Sequence, residues 1–457
     1  MLKKNDIISL RIENLSSDGN GVGHHEGFAV FVPFSTVGDL LSVRIAKLQK
    51  SYAFGIAERV LEPSADRIPV DCPHFKQCGG CTFRHISYDA EKQAKRVFVK
   101  DALLRLGGID INVEETLSSP NPDRYRNKVQ FPVASGKNGL YAGLFSPRSH
   151  RVIPISDCLL QPAILNKIAS RTCALLSSLG VTAYNEETGK GTLRHILLRQ
   201  SDKTGEVMLC LVINADTLPC TEEFLKIRDE FPQISTIVLN INRSNTNVIL
   251  GRDCRTLWGE GVLHDELCSV PVRLSPLSFL QVNSLGARTL YEKVREVADI
   301  HKDDTVLDLY CGTGTIGLSL ASGCKKLIGV EVVGQAVDDA RKNAEAMGYT
   351  HCEFICADAG AATAELLKRG EKIDLAITDP PRKGCGDELL SCLIEMDPTR
   401  IVMVSCNPAT LARDLKYLFA HGYADDTAYP VDMFPRTPHV ETCVLLSHKN
   451  PQTSPPS

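Results

Sequence analysis

The chain has 457 residues and lacks long apolar runs. No stretch approaches the ~18 consecutive apolar residues of a membrane span, so we expect no membrane contact. An excess of basic residues is also missing. The formal net charge is −4, which excludes binding of nucleic acid through overall charge, so any such surface must be local. Residues 71–160 are a candidate, because they contain 13 Lys and Arg against 9 Asp and Glu.

An export signal is missing from the first residues, MLKKNDIISLRIEN, because charges interrupt them and no apolar core comes after them. We therefore expect the 17 cysteines to be reduced thiols in a cytoplasmic protein rather than a disulfide framework. The length exceeds what one hydrophobic core supports, which predicts two or three domains. We expect the protein to be a monomer.

Short alternating segments separated by glycines fill residues 1–60. This pattern predicts four or five short strands and a small closed β-barrel of the OB type. The segments SSDGNGVG and FVPFSTVGDLLSVRI resemble a TRAM domain, a small RNA-binding barrel. A barrel with a purely structural role fits the residues equally well.

Residues 61–270 predict a mixed α+β domain. The segments TLRHILLRQ and EVMLCLVINA predict one pair of strands, and ISTIVLNIN and TNVILGR predict a second pair. Residues 90–107 predict a helix that ends at a glycine, and we expect this helix to pack on the C-terminal domain.

Helical and strand-like segments alternate from residue 271 to residue 448. This alternation is typical of a doubly wound parallel sheet, so we predict an α/β domain of the Rossmann-like class. Residues 449–457, which include the polar and proline-rich run NPQTSPPS, predict a disordered tail.

A glycine loop comes after the first predicted strand of this domain. Gly312, Gly314 and Gly317 match the dinucleotide fingerprint, and Glu331 ends the next strand, so a nicotinamide or flavin cofactor is one interpretation. Asp308 favours another, because a carboxylate at this turn repels a pyrophosphate but suits the cationic sulfonium and ammonium groups of S-adenosylmethionine. The segment resembles motif I of class I methyltransferases.

Acidic residues also come after the next strands of the domain. Asp358 follows the third strand, where it is placed to meet an adenine amino group, and Asp379 begins the DPP segment after the fourth strand. Related methyltransferases carry a similar motif there. Acids at successive strand ends favour an S-adenosylmethionine-dependent methyltransferase over a set of helix caps and solvated loops.

A thiol stands at the end of the fifth predicted strand. Cys406 lies in SCNP, one strand after Asp379, and both should open into the same crevice. A methyltransferase needs a cysteine when the acceptor is a poor nucleophile such as C5 of a pyrimidine, because addition of a thiolate to C6 activates C5. A base must then remove the C5 proton. Glu441, at the start of an apolar segment, could have a raised pKa suited to this step, although its position alone favours a surface glutamate on an edge strand.

Several motifs together resemble the RNA uridine-5-methyltransferase family (RumA/TrmA-like). They are SCNPATLARDL, DPPRKG, HVETCVLL and SFLQVN, and the likeness extends over nearly the whole chain. The resemblance implies methyl transfer to C5 of a uridine in RNA, with Cys406 as nucleophile, Glu441 as base and Asp379 in contact with the flipped uracil. The implied cofactor contacts are Gln281, Tyr310, Thr315, Glu331, Asp358 and Asp379.

Three further thiols are closely spaced. Cys72, Cys78 and Cys81 have a C-x5-C-x2-C pattern, and Cys158 lies far along the chain. Such thiols bind zinc or an iron–sulfur cluster, and spacing alone does not decide between them. The family resemblance implies that all four are ligands of a [4Fe–4S] cluster in the middle domain.

The sequence identifies the RNA partner less specifically than it identifies the reaction. Basic and aromatic residues interleave in DRYRNKVQFPV and YAGLFSPRSHRV, which predicts contact with unpaired RNA, although a half-buried strand gives a similar pattern. A barrel-bearing member suggests 23S rRNA, with tRNA as the alternative. DNA cytosine methyltransferases place their cysteine one strand earlier, and a non-catalytic RNA-binding scaffold would not need Cys406, Glu441 and Asp379 together.

Overall fold

The computed structural model describes residues 2–448, and the predicted tail lies outside them. A six-stranded barrel comes first, and its strands are β1 (Ile7–Arg11), β2 (Asn14–Leu15), β3 (Gly21–His25), β4 (Phe28–Val32), β5 (Leu40–Leu48) and β6 (Tyr52–Glu62). The order is β1-β5-β6-β4-β3-β2. The sheet closes because β1 and β2 are successive parts of one segment, of which the first pairs with β5 and the second with β3.

The barrel interior has the period of two that strands impose. Alternate residues of β5, Leu41, Val43 and Ile45, are fully buried, while the residues between them are partly exposed. Two contacts join the barrel to the segment after β6. The buried Asp39 accepts two hydrogen bonds from Arg67 at 2.7 Å, and Leu15 packs in a small core against the first helix.

That helix is α1 (Tyr88–Ala102), and a π-helical turn (Leu103–Gly107) and β7 (Asn112–Val113) come after it. Ser87 caps its N-terminus by accepting from the Ala90 amide, and Gly108 ends it with a φ of 68°. The predicted helix over 90–107 is confirmed. Its apolar side, including Val99 and Leu103, is buried in a core that also contains residues of the C-terminal sheet.

The middle sheet has seven strands in the order β10-β9-β8-β11-β12-β13-β14. They are β8 (Lys128–Gly136), β9 (Gly139–Phe145), β10 (Val152–Pro154), β11 (Leu193–Gln200), β12 (Val207–Ile213), β13 (Ile234–Ile241) and β14 (Asp253–Trp258). One face packs on α2 (Ala163–Ser178), α3 (Thr221–Leu225) and α4 (Ile227–Glu230).

One predicted strand pair in this sheet is wrong. TNVILGR is not a strand, and β13 pairs with β12 and with β14. The reason lies in two amide side chains. Asn242 donates to the carbonyls of Val248 and Ile249 at 2.7 and 2.9 Å, and Asn240 bonds both backbone groups of Gly251. The backbone of this segment is therefore bonded to side chains instead of a neighbouring strand.

A hairpin of β15 (Leu263–Leu267) and β16 (Val270–Leu274) leads into the C-terminal domain. Its helices are α5 (Ser284–Ala298), α6 (Thr315–Leu320), α7 (Gly334–Ala346), α8 (Ala359–Lys368), α9 (Asp387–Met396) and α10 (Pro408–Ala420), with a 3₁₀ turn (Ala321–Gly323). Its strands are β17 (Thr305–Leu309), β18 (Lys326–Glu331), β19 (Cys352–Cys356), β20 (Leu375–Thr378), β21 (Arg400–Ser405), β22 (Tyr423–Ala424), β23 (Thr427–Val431) and β24 (Glu441–His448).

The C-terminal sheet runs β19-β18-β17-β20-β21-β24-β23-β7, with β22 beside β24. The five strands from β19 to β21 are parallel, and β24 is antiparallel to β21. Helices pack on both faces, which confirms the predicted doubly wound domain. The position of β7 was not predicted, since it comes from the segment before the middle sheet. Within residues 2–448 we find no helix with the length and apolar character that crossing a membrane requires.

Candidate active site

The carboxyl ends of the parallel strands meet at one edge of the C-terminal sheet, where α/β proteins place their ligands. Asp379 follows β20 and Cys406 follows β21. The antiparallel β24 starts at the same edge with Glu441. Ser405 pairs with Thr442, so Cys406 and Glu441 each lie one residue beyond this last pair, and Glu441 is near enough to raise the pKa of the Cys406 thiol. The predicted trio is therefore brought together by two strand ends and one strand start.

The loops after β20 and β21 are fixed to each other. Asn407 caps α10 by accepting from the Ala409 amide, and Pro408 occupies the first turn, where a missing amide proton is tolerated. The Asn407 side chain also donates to the carbonyl of Arg382 at 3.1 Å. Its two bonds thus hold the backbone beside Cys406 against the DPPR segment.

Glu441 is a buried carboxylate, with 6% of its surface exposed. Burial raises the pKa of its carboxyl, the nearby Asp379 raises that pKa further, and Arg382 lowers it. Burial also raises the pKa of Asp379. Within residues 2–448 no side chain or amide donates a hydrogen bond to the Glu441 carboxylate, so its oxygens are available to a ligand.

The Cys406 thiol is half-buried. Burial raises its pKa to about 11, Glu441 and Asp379 contribute in the same direction, and Arg382 lowers it. Arg382 therefore acts on both groups at once. Its Nη2 lies 3.3 Å from Nε2 of His439, whose pKa burial lowers to about 4, so this imidazole is neutral.

A cleft of about 330 Å³ opens between the ends of β17, β18 and β20. Tyr310, Glu331 and Asp358 line it, and the apolar side chain of Val332 stands beside them with 66% of its surface exposed. A carboxylate pair with an apolar surface matches the hydroxyls and the flat base of an adenosine. The cleft thus fits the adenosine part of S-adenosylmethionine.

The glycine loop borders this cleft, since the Gly312 amide donates to the Glu331 carboxylate at 3.2 Å. Asp308 is 1% exposed, and one of its oxygens accepts from the Gly317 amide at 2.9 Å, while the other has no partner within residues 2–448. Thr315 bonds the Tyr291 hydroxyl at 3.2 Å. Gln281 is half-buried, and its backbone carbonyl accepts from the side chain of Asn127, just before β8.

The four predicted ligand thiols line one cavity. Cys72, Cys78, Cys81 and Cys158 all contribute to its wall, and burial raises the pKa of Cys81 to about 12. The Gly80 amide donates to the Cys78 sulfur at 3.3 Å. Among the residues described, however, no three His, Cys, Asp or Glu side chains are arranged to hold a metal ion as they stand.

Comparison with known proteins decides the family. The model of the tRNA (uracil-5-)-methyltransferase family matches residues 87–449, and a TRAM domain model matches residues 2–57. The chain belongs to the tRNA (uracil-5-)-methyltransferase family. It is a methyltransferase that acts on RNA with S-adenosylmethionine, and its barrel is a TRAM domain. The family expectation from the sequence is confirmed.

Full-length relatives share this architecture. The methyltransferase is 40% identical over 451 residues to an uncharacterized RNA methyltransferase of Halalkalibacterium halodurans, covering 98% of each chain. It is 41% identical over 448 residues to one of Clostridium tetani, covering 98% of this chain and 97% of the relative. The tRNA (uracil-54, C5)-methyltransferase of Pyrococcus abyssi, solved with S-adenosyl-L-homocysteine, is 29% identical with a TM-score of 0.77, covering 96% of this chain and 100% of that one.

Two residues of this site were missed at the sequence level. Arg382 and His439 had no assigned role, although they lie within the motifs DPPR and HVE. Arg382 comes three residues after Asp379, in the loop after β20, so its position was a usable signal. His439 is different, because only the fold shows that the residue two places before Glu441 packs beside Arg382.

Proposed function

We propose that the enzyme methylates C5 of a uridine in RNA through a covalent bond between Cys406 and C6 of the base. The observation that supports this most strongly is the convergence of the Cys406 thiol, the partly exposed Asp379 and the buried Glu441 at one sheet edge, with Arg382 acting on the thiol and on Glu441. An RNA base inside a fold must first be flipped out, which costs a few kcal/mol.

Cys406 begins the reaction. Its thiolate adds to C6, the C5–C6 double bond supplies electrons to C5, and C5 becomes a nucleophile. The positive charge of Arg382 favours the thiolate, since it lowers the pKa of Cys406. Asp379, at the end of the neighbouring strand, is placed to hold the polar edge of the uracil.

When bound, S-adenosylmethionine supplies an electrophilic methyl group. We propose that Tyr310, Glu331 and Asp358 hold it in the cleft that they line. Asp379, Gln281 and Thr315 complete the proposed contacts. The Thr315 hydroxyl already bonds to Tyr291, so we propose that Thr315 contacts the cofactor mainly through its backbone, at the start of α6.

Glu441 ends the reaction. It takes the proton from the methylated C5, the electrons of that C–H bond restore the C5–C6 double bond, and the C6–S bond breaks to release the Cys406 thiolate. A carboxyl with a raised pKa is a stronger base than an exposed one. The absence of hydrogen-bond donors to the Glu441 carboxylate within residues 2–448 leaves it free for this proton.

We also propose that Cys72, Cys78, Cys81 and Cys158 hold a [4Fe–4S] cluster. The chemistry of the donors supports this proposal, because four thiols line one cavity and an amide donates to the Cys78 sulfur, as cluster sulfurs commonly receive, although the thiols would have to move closer together to bind it. The cluster would tie the 72–81 loop to the segment before α2 and stabilise the middle domain.

The substrate that we propose first is 23S rRNA, because the enzyme carries a TRAM barrel. A tRNA uridine is the second candidate, favoured by the name of the similar Pyrococcus abyssi enzyme. Mass-spectrometric mapping of 5-methyluridine in both RNA classes, from cells with and without the gene, tests the function. Loss of a methyl group from neither class would contradict it. We further propose that the enzyme works as a monomer in the cytoplasm, where its thiols stay reduced.

A further inference from the structure

The loop that leads to Glu441 is held by distant parts of the chain as well as by local hydrogen bonds. This loop, residues 432–440, connects β23 to β24. Four successive carbonyls in it accept hydrogen bonds from residues far away in sequence. The bonds run from Asn283 Nδ2 to Met433 at 2.9 Å, from Lys95 Nζ to Phe434 at 3.2 Å, from Tyr125 Oη to Pro435 at 3.0 Å, and from the amides of Thr82 and Phe83 to Arg436 at 2.7 and 3.1 Å.

A row of alternating charges runs beneath the same loop. It starts at Arg84, beside the Cys81 thiol, and ends at Asp432, the first residue of the loop. Each member contacts the next one. The row is Arg84, Asp123, Arg436, Glu91, Lys95 and Asp432, with Asp123 to Arg436 at 3.3 Å, Arg436 to Glu91 at 4.0 Å, Glu91 to Lys95 at 2.8 Å and Lys95 to Asp432 at 2.6 Å.

These charges are costly to bury. Glu91, Lys95 and Asp432 are fully buried. One oxygen of Glu91, one of Asp432 and two nitrogens of Arg436 have no hydrogen-bond partner within residues 2–448. Apolar residues of the same volume often give equal or greater stability than a buried ion pair. The row is therefore weak evidence for added stability, and fixing one geometry is the other role that such buried charges can have.

The geometry in question is the position of Glu441, the proposed catalytic base. The amide of Arg436 donates to Glu91 at 2.7 Å, and its φ of 69° is a left-handed conformation in which a residue with a side chain needs external support. Five residues later the chain reaches Glu441. A shift of about 1 Å in a reacting group is enough to cost about 100-fold in rate.

We propose that Asp123, Arg436 and Lys95 are positioning residues for Glu441: through the row of charges they hold the 432–440 loop in the one arrangement that aims this carboxylate at C5. None of the three touches the reacting atoms. The inference rests on the proposed function. It gives a role to the charged residues that connect the cysteine-lined cavity with the 432–440 loop.

Asp123→Asn is the sharpest test, because it breaks the row at its most exposed member, whose side chain is 36% exposed. We expect the full-length variant to fold, to bind RNA and S-adenosylmethionine with unchanged affinity, and to form the methylated covalent adduct. Removal of the C5 proton should slow by about 10- to 100-fold, so kcat falls while KM changes little. The adduct should then accumulate on denaturing electrophoresis.

Matched variants separate positioning from general damage. Glu230→Gln removes a carboxylate of similar exposure, 43% against 36% for Asp123, from its pair with Arg171 on the helices of the middle domain, and should behave as wild type. Asp123→Glu restores the charge and should recover most of kcat. Arg436→Lys gives a second break in the row and should also accumulate adduct.

The outcomes are distinct. Normal turnover by Asp123→Asn, or slow turnover without adduct, would overturn the inference, and so would equal adduct in Glu230→Gln. If Asp123→Asn does not fold, Arg436→Lys decides by the same criterion. RNA that contains 5-fluorouridine serves as the reference, because its C5 carries no proton to remove. Failure of the wild-type enzyme to form an adduct with this RNA would instead contradict the proposed function.

Discussion

Cys406 follows β21 and Glu441 begins β24, so each lies one residue beyond Ser405 and Thr442, the last paired residues of these neighbouring antiparallel strands. The Glu441 carboxylate is close enough to Cys406 to raise the pKa of its thiol. In the proposed reaction, a base bound at this edge would have its nucleophile just after β21 and its proton acceptor at the start of β24. The order in which the two groups act is set by their chemistry, and it makes their substitutions distinguishable.

Cys406→Ala and Glu441→Gln should fail at different steps. Cys406→Ala should bind RNA and S-adenosylmethionine but form no adduct, because the bond to C6 is never made. Glu441→Gln should form the methylated adduct and release it slowly, with a loss of about 10²- to 10⁴-fold in turnover. Denaturing electrophoresis and mass spectrometry measure both results.

The double variant supplies the control for this order of events. It should look like Cys406→Ala alone, because residues that act in one sequence are not additive. Near-normal turnover by Glu441→Gln, or a stall without adduct, would show that Glu441 is not the base.

Arg382→Ala should make the Cys406 thiol less acidic. The guanidinium lowers the pKa of Cys406, so its removal raises a pKa that is already about 11. Alkylation of Cys406 by iodoacetamide, measured by mass spectrometry across a pH series, should then require a higher pH, and Arg382→Lys should retain most of the wild-type behaviour. An unchanged pH profile in Arg382→Ala would rule out this effect of the guanidinium.

Glu441→Gln should also stabilise the protein without RNA at alkaline pH. The pKa of Glu441 is higher in the folded than in the unfolded chain, so stability falls as pH rises between an ordinary value of about 4.3 and that raised pKa. Glutamine carries no charge at any pH. The melting temperature of the variant should exceed that of the wild type by a few degrees at about pH 9, and the two should converge towards about pH 4.

A surface carboxylate with a lowered pKa should change stability with pH in the opposite direction. The pKa of Glu230 is lowered by its hydrogen bond with Arg171, so Glu230→Gln should bring no alkaline stabilisation. If both variants shift the melting temperature alike at every pH, burial of the Glu441 charge is not the cause.

The thiol cavity should reveal its occupant by colour and metal content. Protein purified without oxygen should be brown and contain about four irons per chain, as a four-thiolate cluster requires. Cys81→Ser should bleach the protein and destabilise the middle domain, whereas Cys173→Ser, at a buried thiol outside the cavity, should leave the iron content unchanged. Stoichiometric zinc with no iron would contradict the cluster.

The TRAM barrel should contribute phosphate contacts to RNA binding. Lys47 and Lys50 are exposed on it and form no ion pair within residues 2–448. Removing residues 1–60 should weaken RNA binding while cofactor binding persists, and Lys47→Ala with Lys50→Ala should lower the slope of log affinity against log salt by about 0.7 per lost contact. Lys203 forms a salt bridge with Glu266 of the β15–β16 hairpin, and Lys203→Ala is the control variant. An unchanged slope in the double variant would exclude these contacts.

The sequence was sufficient for those parts of the site that lie at the ends of regular strands. Asp379 and Cys406 could be placed together because parallel strands end at one edge, whatever their side chains do. Placing Glu441 near Cys406 required the pairing of β21 with β24, which two apolar segments alone do not specify.

Contacts between segments far apart in the chain could not be predicted from the sequence. Lys95 and Asp432 are 337 residues apart, and neither stands in a recognisable motif, so no periodicity links them. The strand predicted at TNVILGR failed for a related reason. Its apolar pattern suits a strand, but the side chains of Asn240 and Asn242 take its backbone bonds.

The anchoring of the 432–440 loop limits how this enzyme can be divided. A fragment that starts at residue 271 would contain Cys406, Glu441 and the whole cofactor cleft, yet it would lose Thr82, Lys95 and Tyr125, which hold the loop from outside. Such a fragment could attach itself to a uridine more readily than it could let go. On this proposal the N-terminal half is needed for turnover as well as for RNA binding. Replacing it with another RNA-binding domain would leave an enzyme that stays covalently bound to its substrate.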